Sequence, residues 1–287
     1  MKKLQQGDTI GIIALSGVCD ADKVERSKAY FESLGYQVRL SKNIFDSNRY
    51  LAGDDDTKAD ELHDFFEDEK VKLILCARGG YGAIRLIDKL NYSRIKKNPK
   101  PFCGFSDVSA LLLMIYRKTG VITYHSPMAC SDFGGEINKQ TEQDFFRAIG
   151  GEQLTFKGTK IYRNGFAQGV LIGGNLATVA SLGGQNFVPE EHFIFFAEDL
   201  NEPVYKIDRM FQQLLNLKKF AKNCKGIVLG DFLDTDNNEW LEEYFEELSK
   251  RLAIPMVSGF KITHNPEKIT LPIGKYAQIN EDALIIP

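Results

Sequence analysis

The chain has 287 residues, 43% hydrophobic and 26% charged, with a formal net charge of -3. That length buries a large apolar core and commonly splits into two units without help from disulfides or metals. The balance excludes a basic nucleic-acid footprint, and no apolar stretch approaches the roughly 20 residues of a membrane span.

Five cysteines, Cys19, Cys76, Cys103, Cys130 and Cys224, are odd in number and scattered, with no CxxC. They argue against a disulfide framework and a zinc knuckle. Lys2 and Lys3 open the chain, but the apolar run at 10–15 is too short and too strand-like for a secretory leader. The expected compartment is the cytoplasm.

In chain order, residues 9–14 (TIGIIA) read as a buried strand ending in the turn Ser16-Gly17. A helix follows over 22–34, stopped by Gly35, then a strand over 37–40 and a helix over 57–67 with Leu62, Phe65 and Phe66 at helical spacing. The run 71–77 (VKLILCA) is a further buried strand and leads into Arg78-Gly79-Gly80-Tyr81-Gly82, with a helix expected to carry Ile84, Leu86 and Ile87. Residues 101–105 end a strand at Ser106-Asp107, and 108–118 form a helix with Val108, Leu111, Leu112 and Ile115 on one face. Alternating strands and helices imply a parallel sheet covered on both sides, a Rossmann- or flavodoxin-like α/β domain.

The pattern changes near Met128. Residues 129–168 are polar and Gly-rich with weak periodicity, and the expected division is a first domain over 1–128, a connection over 129–168 and a second α/β domain over 169–287. In the second half, 169–175 contains Gly173-Gly174-Asn175, strands are expected at 193–197 and 226–230, and helices at 205–217 and 239–252. The last helix sets Trp240, Leu241, Tyr244, Phe245 and Leu248 against Glu242, Glu243, Glu246 and Glu247, a stripe that reads as core or a dimer contact.

Three turns that follow strands are candidate walls of one site, because ligands of open α/β sheets bind beyond the carboxyl ends of strands. Gly104-Phe105-Ser106-Asp107 sets a serine between a strand end and a helix start, where a hydroxyl is exposed and helix N–H groups favour negative charge. The alternative is that Ser106 or Asp107 simply caps the helix. Arg78-Gly79-Gly80-Tyr81-Gly82 fits neither G-x-G-x-x-G nor the P-loop; it reads as a phosphate cradle, an oxyanion-hole wall or a plain tight turn. Glu198 leaves a Phe-rich strand, where an unpaired carboxylate is costly. Of four histidines, His63 and His192 read as surface residues, His125 as structural or supporting, and His264 as a loop residue. No HExxH or other metal spacing is present. Ser106, Glu198 and His264 form a possible triad, although order along the chain proves little.

Taken together, Gly7-Asp8-Thr9-Ile10-Gly11-Ile12, Ala77-Arg78-Gly79-Gly80-Tyr81-Gly82, Gly104-Phe105-Ser106-Asp107, Gly173-Gly174-Asn175-Leu176, Glu198-Asp199 with Ile207-Asp208-Arg209, and His264 followed by Leu271-Pro272-Ile273-Gly274 resemble the LD-carboxypeptidase family and its microcin-immunity relatives. The resemblance spans nearly the whole chain. It implies Ser106 as nucleophile, His264 as general base, Glu198 as the group orienting the imidazole, and the N–H groups of Gly79 and Asp107 as oxyanion hole. It further implies hydrolysis before a C-terminal D-alanine of murein tetrapeptides in cell-wall recycling, a triad assembled at a domain junction, and a homodimer. No metal, cofactor, nucleic acid or membrane is expected as a partner, as the composition and the scattered histidines and cysteines already indicate. Arg78 and Gly80 in the glycine turn and Asn175 are the candidate substrate-binding residues, the terminal carboxylate falling to Arg78 or to N–H groups at the helix start. Thr263 and Ser126 stand where the family usually has glycine, which bears on substrate preference more than on chemistry. The rival readings are a microcin-immunity-type peptidase acting on peptidyl nucleotides, a non-catalytic nucleotide- or sugar-phosphate-binding module, and a cysteine enzyme using Cys103.

Overall fold

In the computed structural model, which describes residues 4–287, the apolar run after Asp8 forms strand β1 (Thr9–Ile13), every residue of it buried. Helix α1 (Ala21–Ser33) starts where the Asp20 carboxylate accepts the Lys23 N–H at 3.0 Å. After β2 (Gln37–Leu40), helix α2 (Asp55–Glu67) is capped in the same way by Asp54 on the Thr57 N–H, at 2.9 Å. Strand β3 (Val71–Cys76), helix α3 (Tyr92–Lys97), β4 (Phe102–Gly104), α4 (Ser109–Thr119) and β5 (Thr123–His125) continue the alternation. Helix α4 stops at Gly120, which takes the left-handed conformation that L-residues resist.

These strands pair β2-β1-β3-β4-β5, all parallel. That is the flavodoxin-like order, with its switch point between β1 and β3. The expected parallel-sheet α/β domain is therefore what the first part of the chain adopts. The helix expected after the glycine turn is instead a single 3-10 turn over Ala83–Leu86. Gly80 and Gly82 hold positive φ there, and the Ala83 N–H is taken by a side chain outside the turn.

The chain divides into two compact units. The first runs to Gly151 and takes in Thr270–Pro272; the second comprises Glu152–Ile269 and Ile273–Pro287. The polar stretch over 129–168, with its weak periodicity, has regular structure of its own. It carries a π-type turn at Ala129–Phe133, helix α5 (Lys139–Ile149) capped by Asn138, and strands β6 (Leu154–Lys157) and β7 (Lys160–Arg163). Helix α5 buries only one narrow stripe, Thr141, Asp144, Phe145, Ala148 and Ile149, with two polar side chains in it, which hid its period.

The second unit is built on β8 (Phe166–Asn175), α6 (Leu176–Ser181), β9 (Phe193–Leu200), α7 (Val204–Leu215), α8 (Lys218–Asn223), β10 (Cys224–Leu233), α9 (Asn238–Leu252) and β11 (Met256–Ser258). Strand β12 (Leu271–Ile273) lies beside β5 in the first sheet, while β13 (Tyr276–Asn280) and β14 (Ala283–Ile286) close the second. The second sheet has the order β6-β14-β13-β8-β9-β10-β11-β7. Its centre, β8 to β11, is parallel and its flanks are antiparallel. Phe193, Phe195, Phe211, Phe220 and Phe245 pack edge to face over it. Leu241, Phe245 and Leu248 of α9 are core, whereas Trp240 stays exposed.

Candidate active site

Strand β4 ends at Gly104, Phe105 remains extended, and Ser106 takes φ 60 before a short 3-10 turn over Ser106–Val108 enters α4. A non-glycine residue at that φ is uncommon and strained. The sharp strand-to-helix turn with a partly exposed serine is the geometry of a nucleophile elbow. Neither the 3-10 turn nor α4 has a side-chain N-cap, so the Ser106 hydroxyl is not spent on capping. Asp107 does not cap either. Its buried carboxylate reaches across and accepts the Ala83 N–H at 2.8 Å, and burial raises its pKa. The turn after β4 is thereby tied to the turn after β3.

Gly79 closes the same corner. A Cβ at this position would stand 3.0 Å from Ser106 Cβ and 3.1 Å from Ser106 Oγ, so only glycine leaves the hydroxyl its space. The Gly79 carbonyl accepts the Gly17 N–H and Arg78 Nε, each at 3.2 Å. Arg78 Nη1 donates to the Val18 carbonyl at 3.1 Å. The turns after β1, β3 and β4 thus interlock at the switch point of the sheet. Gly80 lies exposed in the middle turn at φ 117.

In the second unit, Glu198 lies near the carboxyl end of β9, opposite Asn175 of β8. Its side chain is fully buried, and its Oε2 lies 2.8 Å from Nδ1 of His264. Among the described residues His264 is the side chain that this carboxylate meets in a hydrogen bond. The bond fixes the imidazole tautomer: Nδ1–H donates to the carboxylate and Nε2 is left as the acceptor. The loop bearing His264 is held from below. The Asp231 N–H donates to the Ile262 carbonyl at 2.9 Å, and a Cβ on Gly230 would stand 2.1 Å from that oxygen. Asn265, one residue on, donates Nδ2 to Asp231 Oδ2 at 3.3 Å and its N–H to Thr263 Oγ1 at 3.0 Å.

Asn175 is committed within the same unit. Its Oδ1 caps α6 at Thr178, and its Nδ2 donates to Asp199 Oδ1 at 2.8 Å. Asp199 also accepts the N–H groups of Leu200 and Ala177, each at 2.9 Å. Burial nevertheless pushes its pKa up to about 6. Gly173 and Gly174 lie within β8, paired with Phe196 and Ala197 of β9, rather than in a loop that cradles a ligand.

Two groupings result. The first unit brings Ser106 together with Gly79, Asp107, Arg78 and Gly80; the second brings Glu198 together with His264, and Asn175 with Asp199. The cross-brace made by the Asp107 carboxylate, the three-donor cluster on Asp199, and the tether of the His264 loop through Gly230 and Asp231 leave no local pattern in the sequence beyond the Glu198-Asp199 doublet. Two adjacent acids after a Phe-rich strand cannot both be solvent-facing in a buried strand end. His63, expected at the surface, is buried. Its Nε2 accepts the Asn91 N–H at 2.8 Å, which ties α2 to the start of α3, and burial lowers its pKa. His125 is also buried, edge-on to Phe105 at 5.8 Å. Cys103 is fully buried in β4 and burial raises its thiol pKa well above the usual range, the opposite of a reactive cysteine. No group of three or more His, Cys, Asp or Glu side chains placed to hold a metal occurs among the described residues.

Comparison with known proteins finds similar sequences and folds. The LD-carboxypeptidase N-terminal domain model matches residues 10–126 and the LD-carboxypeptidase C-terminal domain model matches residues 168–279. A probable murein peptide carboxypeptidase of Bacillus subtilis is 34% identical over 97% of this chain and 91% of its own. Among solved structures, an MccF-like protein from Bacillus anthracis superposes with a TM-score of 0.90 at 26% identity, covering 99% of this chain and 98% of that one. A muramoyltetrapeptide carboxypeptidase from Oxalobacter formigenes does so with a TM-score of 0.89 at 27% identity, covering 97% and 98%.

Proposed function

Because the chain belongs to the LD-carboxypeptidase family and is a serine-type carboxypeptidase, we propose that it hydrolyses the L,D bond before a C-terminal D-alanine of murein tetrapeptides, with Ser106, His264 and Glu198 as its triad. The observation that carries the reading is the 2.8 Å bond from His264 to the fully buried carboxylate of Glu198. A carboxylate this deeply buried and paired with an imidazole is costly as architecture and useful as the orienting member of a triad.

In the proposed reaction Ser106 Oγ attacks the scissile carbonyl carbon and its proton passes to His264 Nε2. Glu198 stabilises the resulting imidazolium through Nδ1–H. The oxyanion is held by the N–H groups of Gly79 and Asp107, an interaction worth about 3–4 kcal/mol per donor. His264 then protonates the departing amine of D-alanine, and water, activated by the same imidazole, releases the peptide from Ser106. Arg78 is the proposed partner of the terminal carboxylate, with donors to spare beyond those given to Val18 and Gly79. Work in the cytoplasm on recycled wall fragments belongs to the same proposal. So does a homodimer, supported by the exposed rings of Tyr205 and Trp240 on α7 and α9.

The test offers three compounds: a murein tetrapeptide, its C-terminal amide and a peptidyl adenylate analogue. Release of D-alanine from the first, with the amide rejected, is the expected result, because an amide leaves the carboxylate-binding groups unpaired. Preference for the adenylate would move the protein to the immunity-type reading that its likeness to the MccF-like structure favours.

A further inference from the structure

Tyr81 sits at the apex of the glycine turn between two fixed points. On one side Gly79 is packed against Ser106; on the other the Ala83 N–H is held by Asp107 at 2.8 Å. Four residues on from Tyr81, the Arg85 guanidinium is paired with Asp55 at 2.6 Å. The Tyr81 ring meets the ring of Tyr50 edge to face, with centroids 5.8 Å apart. The segment bearing Tyr50 is itself anchored to the turn after β1. The Ala52 N–H donates to the Ser16 carbonyl at 3.0 Å, Leu51 bridges to Gly17, and Asn48 and Leu51 close a tight loop through two bonds of 2.9 and 3.0 Å.

Despite this anchoring the two rings remain 57% and 47% exposed. Anchored aromatic rings left about half exposed are surface prepared for a ligand, since little ordering entropy is left to lose. Beside them Arg49 is held at φ 60 with its guanidinium carbon 5.5 Å from the Tyr50 centroid, and it forms no ion pair among the described residues. The platform therefore offers two apolar faces and one cation on the rim of the corner that holds Ser106.

The size of the two products decides which side of the bond it serves. A departing D-alanine has one methyl group and a carboxylate and cannot cover two tyrosine rings. The acyl part is larger. In a murein tetrapeptide the residue preceding the diamino acid is a γ-linked glutamyl residue, whose two methylenes run between its γ-amide carbonyl and an α-carbon that carries a free carboxylate. We propose that Tyr50, Tyr81 and Arg49 form an acyl-side subsite that takes this γ-glutamyl residue, with Arg49 pairing to its free α-carboxylate. The inference rests on the murein reading above and adds to it a preference for one chemical form of the peptide.

The experiment compares two tetrapeptides that differ only at that α-carboxylate, free in one and amidated in the other. For the wild type, kcat/KM is expected to be about tenfold higher for the acid, as for one charge-assisted contact. Arg49→Gln should bring the acid down to the level of the amide, and Tyr50→Leu should raise KM for both peptides while kcat changes little. Equal rates for the two peptides with the wild type, or a preference that survives Arg49→Gln, would remove the subsite while leaving the carboxypeptidase reading intact. Failure to release D-alanine from either peptide would instead overturn the murein reading, and the subsite with it.

Discussion

The corner around Ser106 and the pair Glu198–His264 are built from different materials. The first is made of backbone: a serine at φ 60, a glycine that leaves no room for a side chain beside it, and carbonyl and N–H groups that lock three turns together. The second is made of side chains from distant segments, 66 residues apart, joined by one bond inside a nearly sealed setting. Backbone sites tolerate few substitutions but keep their charge state at any pH. Side-chain sites change with protonation and depend on packing several shells deep. In a serine hydrolase the first kind suits holding an oxyanion, and the second suits moving a proton.

The largest expected effect tests whether these two materials make one machine. Ser106→Ala should fold normally and lose turnover on the order of 10⁴-fold or more. His264→Ala should come close to that loss, because the serine is a poor nucleophile without a base. The double variant Glu198→Gln with His264→Ala should then be scarcely slower than His264→Ala alone, since a residue that acts through the imidazole has nothing to do once the imidazole is gone. Steady-state rates on a tetrapeptide decide it. Losses that multiply would show that Glu198 acts independently of His264.

A smaller effect isolates the backbone side of the comparison. Gly79 does not need positive φ, so Gly79→Ala is expected to leave the fold intact while its methyl crowds Ser106 Oγ. The expected cost is about 10²-fold in kcat, as for a small misplacement of a reacting group. Unchanged thermal stability with that drop in kcat would place the damage at the corner. A variant as active as the wild type would show that Ser106 gives way to the methyl and that the corner is not tightly packed around the hydroxyl.

The two regions were also unequally legible in the sequence. The corner is local: strand residues, a glycine, then Ser106-Asp107 before a helical period, and its turn geometry follows from a few neighbouring residues. The flavodoxin-like order followed from alternating periodicities in the same way. The pair was legible only through resemblance, because nothing within ten residues of His264 distinguishes it from a solvated loop histidine, and its contact with Glu198 is created by the packing of β9, β10 and the loop held at Gly230. Helix α5 was missed since its buried stripe includes Thr141 and Asp144. His63 was misplaced because its neighbours Asp60, Asp64 and Glu67 made a polar face of a position that turns inward to meet Asn91. The side-chain partner of Ala83 was beyond reach because Asp107 occupies a position where capping was the nearer explanation.

The smallest effect concerns how the side-chain region answers to pH. Burial raises Asp199 from 3.8 to about 6, and the adjacent Glu198 adds to the shift. The folded state therefore keeps a proton that the unfolded chain releases between about pH 4 and pH 6. In that window fewer protons are bound in the unfolded state than in the native one, so stability falls as pH rises and levels off above the folded pKa. At 1.4 kcal/mol per unit the full window amounts to about 3 kcal/mol. Asp199→Asn removes the titration. It keeps an acceptor for Asn175 and Leu200 but turns an N–H toward Ala177, which costs a roughly constant 1–3 kcal/mol at every pH. The measurement is thus a difference in slope, not in level: unfolding free energy for both proteins from pH 4 to pH 7. The wild type should lose stability relative to the variant as pH rises through the window, so that the gap between them narrows. A gap that stays constant would mean that the three N–H donors on Asp199 offset its burial and that the region is indifferent to pH at this position.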